Sequence, residues 1–336
     1  MTMLLRASEL ASLAPGPLPS YRQERYLGDA MDIALDAFDE PNQALLKHMY
    51  GLLMHIRSLA DPHSPHKAEL VDVQQLLRAQ GWKALVDGMR QLALRPDAPV
   101  EPLRASQVLH DLRGGALQAI VLLLSLVDLG LTNSNDLLRL WLLSRDHLKI
   151  FRNALNGIDP EGSARDHADH LHHIDLILEK WQQTLYALSD ARARVQVDCA
   201  FNGYVAERCL EFAALDRILY NLINNAVRHT PDGEVALALL PLPAEHASQL
   251  RIGVANRLTA AQREQLHQLV QGDLARLFGG GLTIGGSGHG LRICADFVQR
   301  AFGLRDIDQA LALGYLGVNQ SGERITFWLH WPVAGE

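Results

Sequence analysis

The spacing of apolar residues changes near residue 160, and this change constrains the fold more than any other feature of the sequence. From Tyr21 to about Arg95, and again from Pro102 to about Leu155, apolar residues recur at helical intervals. Beyond residue 160, short runs that alternate apolar and polar residues are separated by helical stretches, which is typical of strands between helices. The sequence therefore predicts an α+β multidomain protein with an all-α N-terminal region.

The N-terminal region divides into a tail, several helices and a linker. Residues 1 to about 20 contain three prolines and are predicted to form a loose tail. The segment 95–99, with the sequence RPDAP, is predicted to be a linker. Between them, helices are predicted around Met31–Phe38, Leu45–Ile56, Leu70–Ala79 and Trp82–Leu94.

Two long helices between Pro102 and Leu155 are joined by a short polar turn at residues 132–135, which predicts an antiparallel helical hairpin. The hairpin has more apolar surface than two helices can bury against each other. We therefore expect two copies of the chain to pair as a homodimer through a four-helix bundle.

The C-terminal region is predicted to be an α/β sandwich, with a mixed sheet and helices on one face. The predicted domains are residues 1–98 (with a possible sensory or partner-binding role), 99–160 and 161–336. Helices are predicted at Ala168–Leu188, Leu215–His229, Ala260–Gln271 and Leu291–Phe302, and strands at Val195–Cys199, Arg208–Phe212, Glu234–Leu240, Leu250–Ala255, Ala310–Val318 and Arg324–Trp331.

Composition excludes several classes of protein. The 336 residues carry a net charge of −7, which argues against a general nucleic-acid binder. The three cysteines lack the spacing of a metal site and fit a reducing cytosol. The most apolar stretch, Ala116–Leu131, is interrupted by polar residues and is too short to span a bilayer. A cytoplasmic protein without membrane insertion is expected.

Two asparagines stand out on the predicted helix that ends at His229. Asn221 and Asn225 are four residues apart and share a face, which Arg228 joins three residues later. Amide oxygens can ligate a hard cation, and a guanidinium group can contact phosphate. Taken alone, this pattern also fits a helix with a few polar surface residues.

A glycine-rich segment, residues 279–290, precedes an apolar helix that begins near Leu291. Glycines at this position let backbone N–H groups approach phosphate oxygens, and the helix dipole favours an anion. A flexible surface loop has the same composition, so this segment alone does not identify a site.

Together and in this order, the two motifs resemble those of a known ATPase superfamily. Residues 221–230 resemble the N box of the histidine-kinase, gyrase-type and Hsp90-type ATPases, and residues 286–291 resemble their second glycine box. The resemblance implies a Bergerat fold that binds ATP and Mg²⁺, with Asn225 and Asn221 as the metal ligands. It implies that the ATP-binding residues are Asn221, Asn225, Arg228, His229, Asn256, Gly286, Gly288, Gly290 and Leu291.

The resemblance extends upstream to residues 108–113, which look like the H box of a dimerisation and phosphotransfer domain. It implies that His110 is phosphorylated as an exposed nucleophile and that Asp111 accepts its proton or orients its ring. The chain then resembles a sensor histidine kinase of a two-component system, whose partner is the receiver domain of a response regulator. The alternative is a non-catalytic phosphotransfer or scaffold protein with a degenerate ATPase domain.

Three features depart from the family pattern or stand outside it. Asn256 occupies the place of the adenine-binding aspartate, and the glycines that normally follow it are missing. Gly114 stands four residues after His110, where the family carries a side chain that positions water for phosphatase activity. The cluster His167, His170, His172 and His173 permits a metal site, although a solvated helix end is the simpler interpretation.

Overall fold

The computed structural model describes residues 4–334, apart from residues 15, 30–31, 62–69, 115, 133, 189–190, 244–247 and 283–287. The chain forms two compact units. The helical unit is Asp29–His167, and the sheet unit is Met1–Gly28 together with Ala168–Glu336. The helical unit is therefore inserted between two parts of the sheet unit. The division into three domains expected from the sequence stays a proposal.

The helical unit is built mostly from α-helices, with one short parallel strand pair. Its elements are β1 (Ile33–Ala34), α1 (Glu40–Leu59), α2 (Leu70–Ala79), α3 (Trp82–Gln91), α4 (Pro102–Arg113), α5 (Ala116–Asp128), α6 (Ser134–Ala154), β2 (Leu155–Asn156) and α7 (Pro160–His167).

Helix α1, Glu40–Leu59, extends beyond both ends of the helix predicted at Leu45–Ile56 and begins at Glu40. The carboxylate of Asp39 caps the helix by accepting a hydrogen bond from the backbone N–H of Asn42, and Pro41 occupies the first turn. The helix predicted at 31–38 is wrong, because Ile33–Ala34 instead pairs in parallel with Leu155–Asn156. Such a pairing joins distant parts of the chain and leaves no local signal. Met31 lies outside the described residues.

The first helix of the predicted hairpin is broken into α4 and α5. Gly114 adopts an extended conformation, with φ −100° and ψ −153°, and ends α4. Helix α1 packs along α6, as α5 does. Part of the apolar surface that suggested a dimer is thus covered by the same chain, and the dimeric four-helix bundle stays a proposal.

Among the described residues, Pro102–Asp128 is the only stretch long and apolar enough to be a candidate membrane span, and 59% of the relevant window is buried. The break at Gly114 divides it into helices of 12 and 13 residues. At about 1.5 Å per residue, each is shorter than the roughly 30 Å of a bilayer core.

The sheet unit contains a mixed sheet in the order β4-β5-β7-β8-β10-β9 and a separate β3–β6 pair. Only β5 and β7 pair in parallel within the large sheet. The elements are β3 (Asp169–His173), α8 (Asp175–Trp181), β4 (Thr184–Leu188), β5 (Ala191–Cys199), β6 (Tyr204–Arg208), α9 (Cys209–His229), β7 (Glu234–Leu242), β8 (Gln249–Arg257), α10 (Ala260–Val270), α11 (Gly290–Phe302), α12 (Ile307–Ala312), β9 (Leu316–Ser321) and β10 (Arg324–Pro332).

Three predicted elements of this unit are wrong or only partly right. The helix predicted at 168–188 is a strand, a short helix and a strand, because β3 pairs with β6 and β4 pairs with β5. The strand predicted at 208–212 is the first turn of α9, and the strand predicted at 310–318 begins as α12. In each case, a long-range pairing or packing contact overrides a short apolar pattern that fits either structure.

Residues 4–28, here called the N-terminal strap, cross the face of the sheet opposite to Asn256. Leu10 is fully buried against Ala236, Ala238 and Ala255. Gly253 makes room for it, because a Cβ there would lie 2.5 Å from the Cδ2 of Leu10. The loose tail predicted from the prolines is therefore wrong. The strap includes a 3-10 helix at Ala7–Ser12.

Buried polar side chains hold the strap on the sheet. The Nη1 of Arg251 donates to the carbonyl oxygen of Leu10 at 2.6 Å, and its Nε donates to the Nε2 of His330 at 3.0 Å. The other ring nitrogen of His330 contacts the Oε1 of Gln249 at 3.0 Å. Farther along, Arg25 forms an ion pair of 2.5 Å with Glu211 of α9. The strap is an integral part of the sheet unit.

Replacing Leu10 with alanine should destabilise the sheet unit by about 2–4 kcal/mol, since the change leaves a cavity in a close-packed core. The control is Leu313→Ala, at a leucine of the same unit that is 41% exposed. It should lower the free energy of unfolding by well under half as much. Urea denaturation monitored by tryptophan fluorescence measures both. Equal stabilities for the Leu10 variant and the unaltered protein would contradict this account of the strap.

The buried His330 should make folding acid-sensitive. Burial, helped by the charge of Arg251, lowers the pKa of His330 to about 3. The unfolded chain, with a histidine pKa of about 6.5, then binds the proton more tightly, so stability is lost as the pH falls from 6.5 towards 3. The control variant is His267→Gln, which alters an exposed histidine of α10. As the pH is lowered from 7 to 4, the urea concentration at the unfolding midpoint should fall less for His330→Gln than for this control. Identical pH profiles would refute the assignment.

Candidate functional site

Helix α9 carries the two asparagines from the core to the surface. Most of its residues are buried, including Asn221, which is 9% exposed. Asn225 is half-buried one turn later, and Arg228 is exposed. The spacing thus places two amides and a guanidinium group along one side of the helix. The other residues of the helix anchor it in the core.

The two sequence motifs meet where α9 packs against α11. Gly290, the first residue of α11, lies directly against the side chain of Asn221, because a Cβ on Gly290 would be 3.4 Å from its Oδ1. Deeper in the same contact, the Sγ of Cys294 donates to the carbonyl oxygen of Ile218. The start of α11 and the asparagine face of α9 therefore border the same space.

The ends of the glycine-rich segment are held in place. Gly288 has a φ of +74°, and a Cβ there would lie 3.1 Å from the backbone of Gly281. The N–H of Gly281 donates to the carbonyl oxygen of Gly288 at 3.2 Å. Arg292 of α11 also donates to the carbonyl oxygen of Gly279 at 2.8 Å. Gly286 lies outside the described residues.

Asn256 is buried at the end of β8, between Val235 of β7 and Ile325 of β10. Its Nδ2 donates to the carbonyl oxygen of Arg257 at 2.8 Å. The amide nitrogen is thereby engaged, and the amide oxygen is the group that can accept a hydrogen bond from an amino group.

His229 ends α9 in a partly desolvated position. Burial, and then the positive charge of Arg228, lower the pKa of His229, which keeps its ring neutral near pH 7. Its carbonyl oxygen accepts a hydrogen bond of 2.9 Å from Gln262 of α10. An ion pair of 2.7 Å between Asp232 and Arg257 also connects the segment after α9 to β8. Neither contact leaves a signal in the sequence, since each joins residues at least 25 positions apart in the chain.

His110 and Asp111 lie in the last turn of α4, in the helical unit. The Nδ1 of His110 is 3.5 Å from the Oδ1 of Asp111, and the side chains are 16% and 4% exposed. His110 is thus more covered than the exposed side chain expected from the sequence. Gly114 has no room for a side chain, because a Cβ there would lie 2.6 Å from the carbonyl oxygen of His110.

His172, one of the four clustered histidines, has a structural role in the sheet unit. His172 is buried, its ring stacks on Phe212 with centroids 4.7 Å apart, and its Nε2 is 3.3 Å from the Sγ of Cys209. Within the part of the chain that the structure describes, no three His, Cys, Asp or Glu side chains are arranged to hold a metal ion. The structure does not support a metal site there.

Residues 212–335 match the family described as "Histidine kinase-, DNA gyrase B-, and HSP90-like ATPase". The matched segment runs from the first turn of α9 to just beyond β10. It includes Asn221, Asn225, Arg228, His229, Asn256, Gly288 and Gly290. The sheet unit therefore contains an ATPase domain of this family. The family assignment made from the two motifs is confirmed for this domain.

Comparison with solved structures finds histidine kinases among the matches, at low sequence identity and low structural similarity. The catalytic domain of histidine kinase ThkA is 14% identical, with 42% of this chain and 80% of that chain covered and a TM-score of 0.28. Full-length ShkA in complex with AMPPNP is 15% identical, with 90% and 47% covered and a TM-score of 0.33. The Acinetobacter baumannii histidine kinase AdeS is 13% identical, with 67% and 98% covered and a TM-score of 0.31. Scores this low carry no argument about the fold or the role of this chain. No curated protein matches the chain.

The glycine-rich segment offers a matched pair of variants. Gly288→Ala places a methyl group in a left-handed conformation and against the backbone of Gly281, whereas a Cβ on Gly279 meets nothing within 4 Å. We expect Gly288→Ala to weaken nucleotide binding about tenfold, the equivalent of roughly 1.4 kcal/mol of strain or displacement. Gly279→Ala should bind normally. Titration with a fluorescent ATP analogue measures both, and equal affinities would show that the segment does not shape the nucleotide site.

Proposed function

We propose that this protein is an ATP-dependent histidine kinase, which phosphorylates its own His110 and passes the phosphate to an aspartate of a response regulator. The observation that carries the proposal is the contact between Gly290 and Asn221. It brings a glycine-lined helix start and an asparagine helix together inside a domain that matches a family of ATPases. The histidine of the helical unit supplies a phosphate acceptor.

The residues present fit a magnesium–nucleotide complex. The amide oxygens of Asn225 and Asn221 are hard ligands suited to Mg²⁺. Gly288 and Gly290 leave the start of the 13-residue α11 open to phosphate oxygens, where the helix dipole favours negative charge. The metal would offset the charge of the transferring phosphoryl group.

The remaining residues surround that position. The exposed Arg228 contributes a guanidinium group for the phosphates, and the neutral ring of His229 lies beside it on α9. The amide oxygen of Asn256 accepts a hydrogen bond from the amino group of the base. We assign the backbone of Gly286 and Leu291 to the same phosphate-binding segment.

Chemistry at His110 follows from the position of Asp111. Because the carboxylate faces Nδ1, the proton of the neutral ring is held on Nδ1 and the lone pair is on Nε2. Nε2 then attacks the γ-phosphorus of ATP, the bond to the bridging oxygen breaks and ADP leaves. Asp111 stabilises the positive charge that develops on the ring.

The proposed partners are a second copy of the chain and the receiver domain of a response regulator. Support for a homodimer comes from apolar side chains that the helical unit leaves exposed around the end of the hairpin. Leu129, Leu131 and Leu138 are 69%, 67% and 41% exposed. Light scattering at micromolar concentration tests this proposal, which a monomer would contradict.

Replacing His110 with glutamine should abolish phosphate incorporation from labelled ATP and leave ATP affinity unchanged, since His110 contributes nothing to nucleotide binding. His267→Gln is the matched control at an exposed histidine and should retain normal labelling. The product should be stable in base and labile in acid, as expected of a phosphorylated imidazole. Labelling of the His110 variant at the normal rate would refute the mechanism.

Replacing Asn225 with alanine should have a different effect from the change at His110. Loss of the amide oxygen removes a metal ligand, so Mg²⁺-dependent binding and labelling should both be lost. Calorimetry with and without EDTA measures the metal dependence. If the unaltered protein fails to bind ATP at millimolar concentration, the non-catalytic phosphotransfer function, suggested by the missing glycines after Asn256, replaces the kinase.

A further inference from the structure

Strand β9 is the last strand of the six-stranded sheet, and half of its backbone groups face outward. It forms a hairpin with β10, in which Ser321 pairs with Arg324 across a two-residue turn. In such a hairpin, residues 321, 319 and 317 exchange hydrogen bonds with the partner strand. The N–H and C=O groups of Leu316, Val318 and Gln320 therefore point away from β10. Leu316 is 1% exposed, so the groups that a partner can reach are those of the half-buried Val318 and Gln320.

This edge lacks the sequence features that usually protect an exposed strand. Edge strands are commonly blocked by a charged side chain, a proline or a β-bulge, because their open hydrogen-bonding groups attract other strands. Residues 316–321 have the sequence LGVNQS, with no charge and no proline, and their register with β10 is unbroken. Within the described chain, no backbone hydrogen bond joins Leu316 or Val318 to an element other than β10.

A cavity of about 410 Å³ lies along the same edge. The indole of Trp328, which is 7% exposed, packs directly on Gly317, because a Cβ there would lie 2.6 Å from the ring, and both residues border the cavity. The cavity is bordered by the N-terminal strap, by the 3-10 helix Leu274–Gly279 and by the strand edge itself. Its apolar lining side chains are Leu13, Ala275, Leu311, Leu316, Val318 and Trp328.

We propose that the β9 edge and this cavity form a docking site for an extended peptide segment of a partner protein. The strand edge requires an occupant with N–H and C=O groups at the spacing of a β-strand, which a helix or a small apolar molecule cannot supply. Every second side chain of that peptide faces the cavity, and an apolar side chain at one of these positions occupies it. The partner segment is uncharged and alternates apolar with small polar residues, since the lining offers no charged group.

The test uses the full-length protein and an acetylated, amidated hexapeptide that alternates valine and threonine. Binding should quench or shift the tryptophan fluorescence and slow hydrogen exchange of the Val318 and Gln320 amides. A peptide with the same sequence but with N-methyl groups on the pairing edge should not bind. Binding of the methylated peptide with equal affinity, or no binding of the parent peptide at millimolar concentration, would overturn the proposal.

Substitutions at the strand edge and in the cavity distinguish pairing of the peptide with β9 from other modes of binding. Val318→Pro removes an outward N–H without removing a hydrogen bond to β10, and it should weaken peptide binding at least tenfold. Ala187→Pro makes the same change at an outward position of β4, the opposite edge, and should bind normally. Ala275→Leu fills the cavity without altering the strand and should also weaken binding, which keeps the test valid if Val318→Pro misfolds.

A second copy of the chain is the competing occupant. If β9 paired with β9 of another copy, the free protein would self-associate in light scattering, and Val318→Pro would abolish that association. This result, or peptide binding that survives both Val318→Pro and Ala275→Leu, would overturn the assignment to a partner peptide.

Discussion

Burial of the six-stranded sheet on both faces is the constraint on which the rest of the sheet unit depends. Helix α9 covers one face, and the N-terminal strap covers the other. The strap fits because the strands carry alanine and glycine where it crosses, and because Arg251 satisfies the carbonyl oxygens of the strap. The two ends of the chain are therefore joined in one core, and the helical unit is inserted between them.

The candidate nucleotide site follows from the same packing. Helix α9 is held by its buried apolar residues, so the position of Asn221 and Asn225 is set by the core rather than by their own contacts. Helix α11 packs against α9 and begins at Gly290, which lies against the side chain of Asn221. A site that rests on two packed helices is preorganised, since neither needs to move for its polar groups to converge.

In the helical unit, the glycine after α4 determines where the helix of His110 ends. Gly114 ends the helix within one turn of His110 and leaves no space for a side chain beside the His110 carbonyl group. In the proposed kinase, this geometry explains in physical terms why residue 114 carries no group to position water. The same break shortens the apolar stretch that would otherwise form one long helix.

The sequence by itself determined the ATPase family and most of the helices, because those signals are local: an i, i+4 asparagine pair, glycines before an apolar helix, and periodic apolar residues. It also predicted strands β5, β7, β8 and β10, whose runs are long and regular. Only the tertiary structure decided the path of residues 4–28 and the β3–β6 pair. Both depend on contacts between distant residues, such as Leu10 with Gly253 or Asp169 with Arg208, and such contacts leave no periodic pattern in the segments that make them.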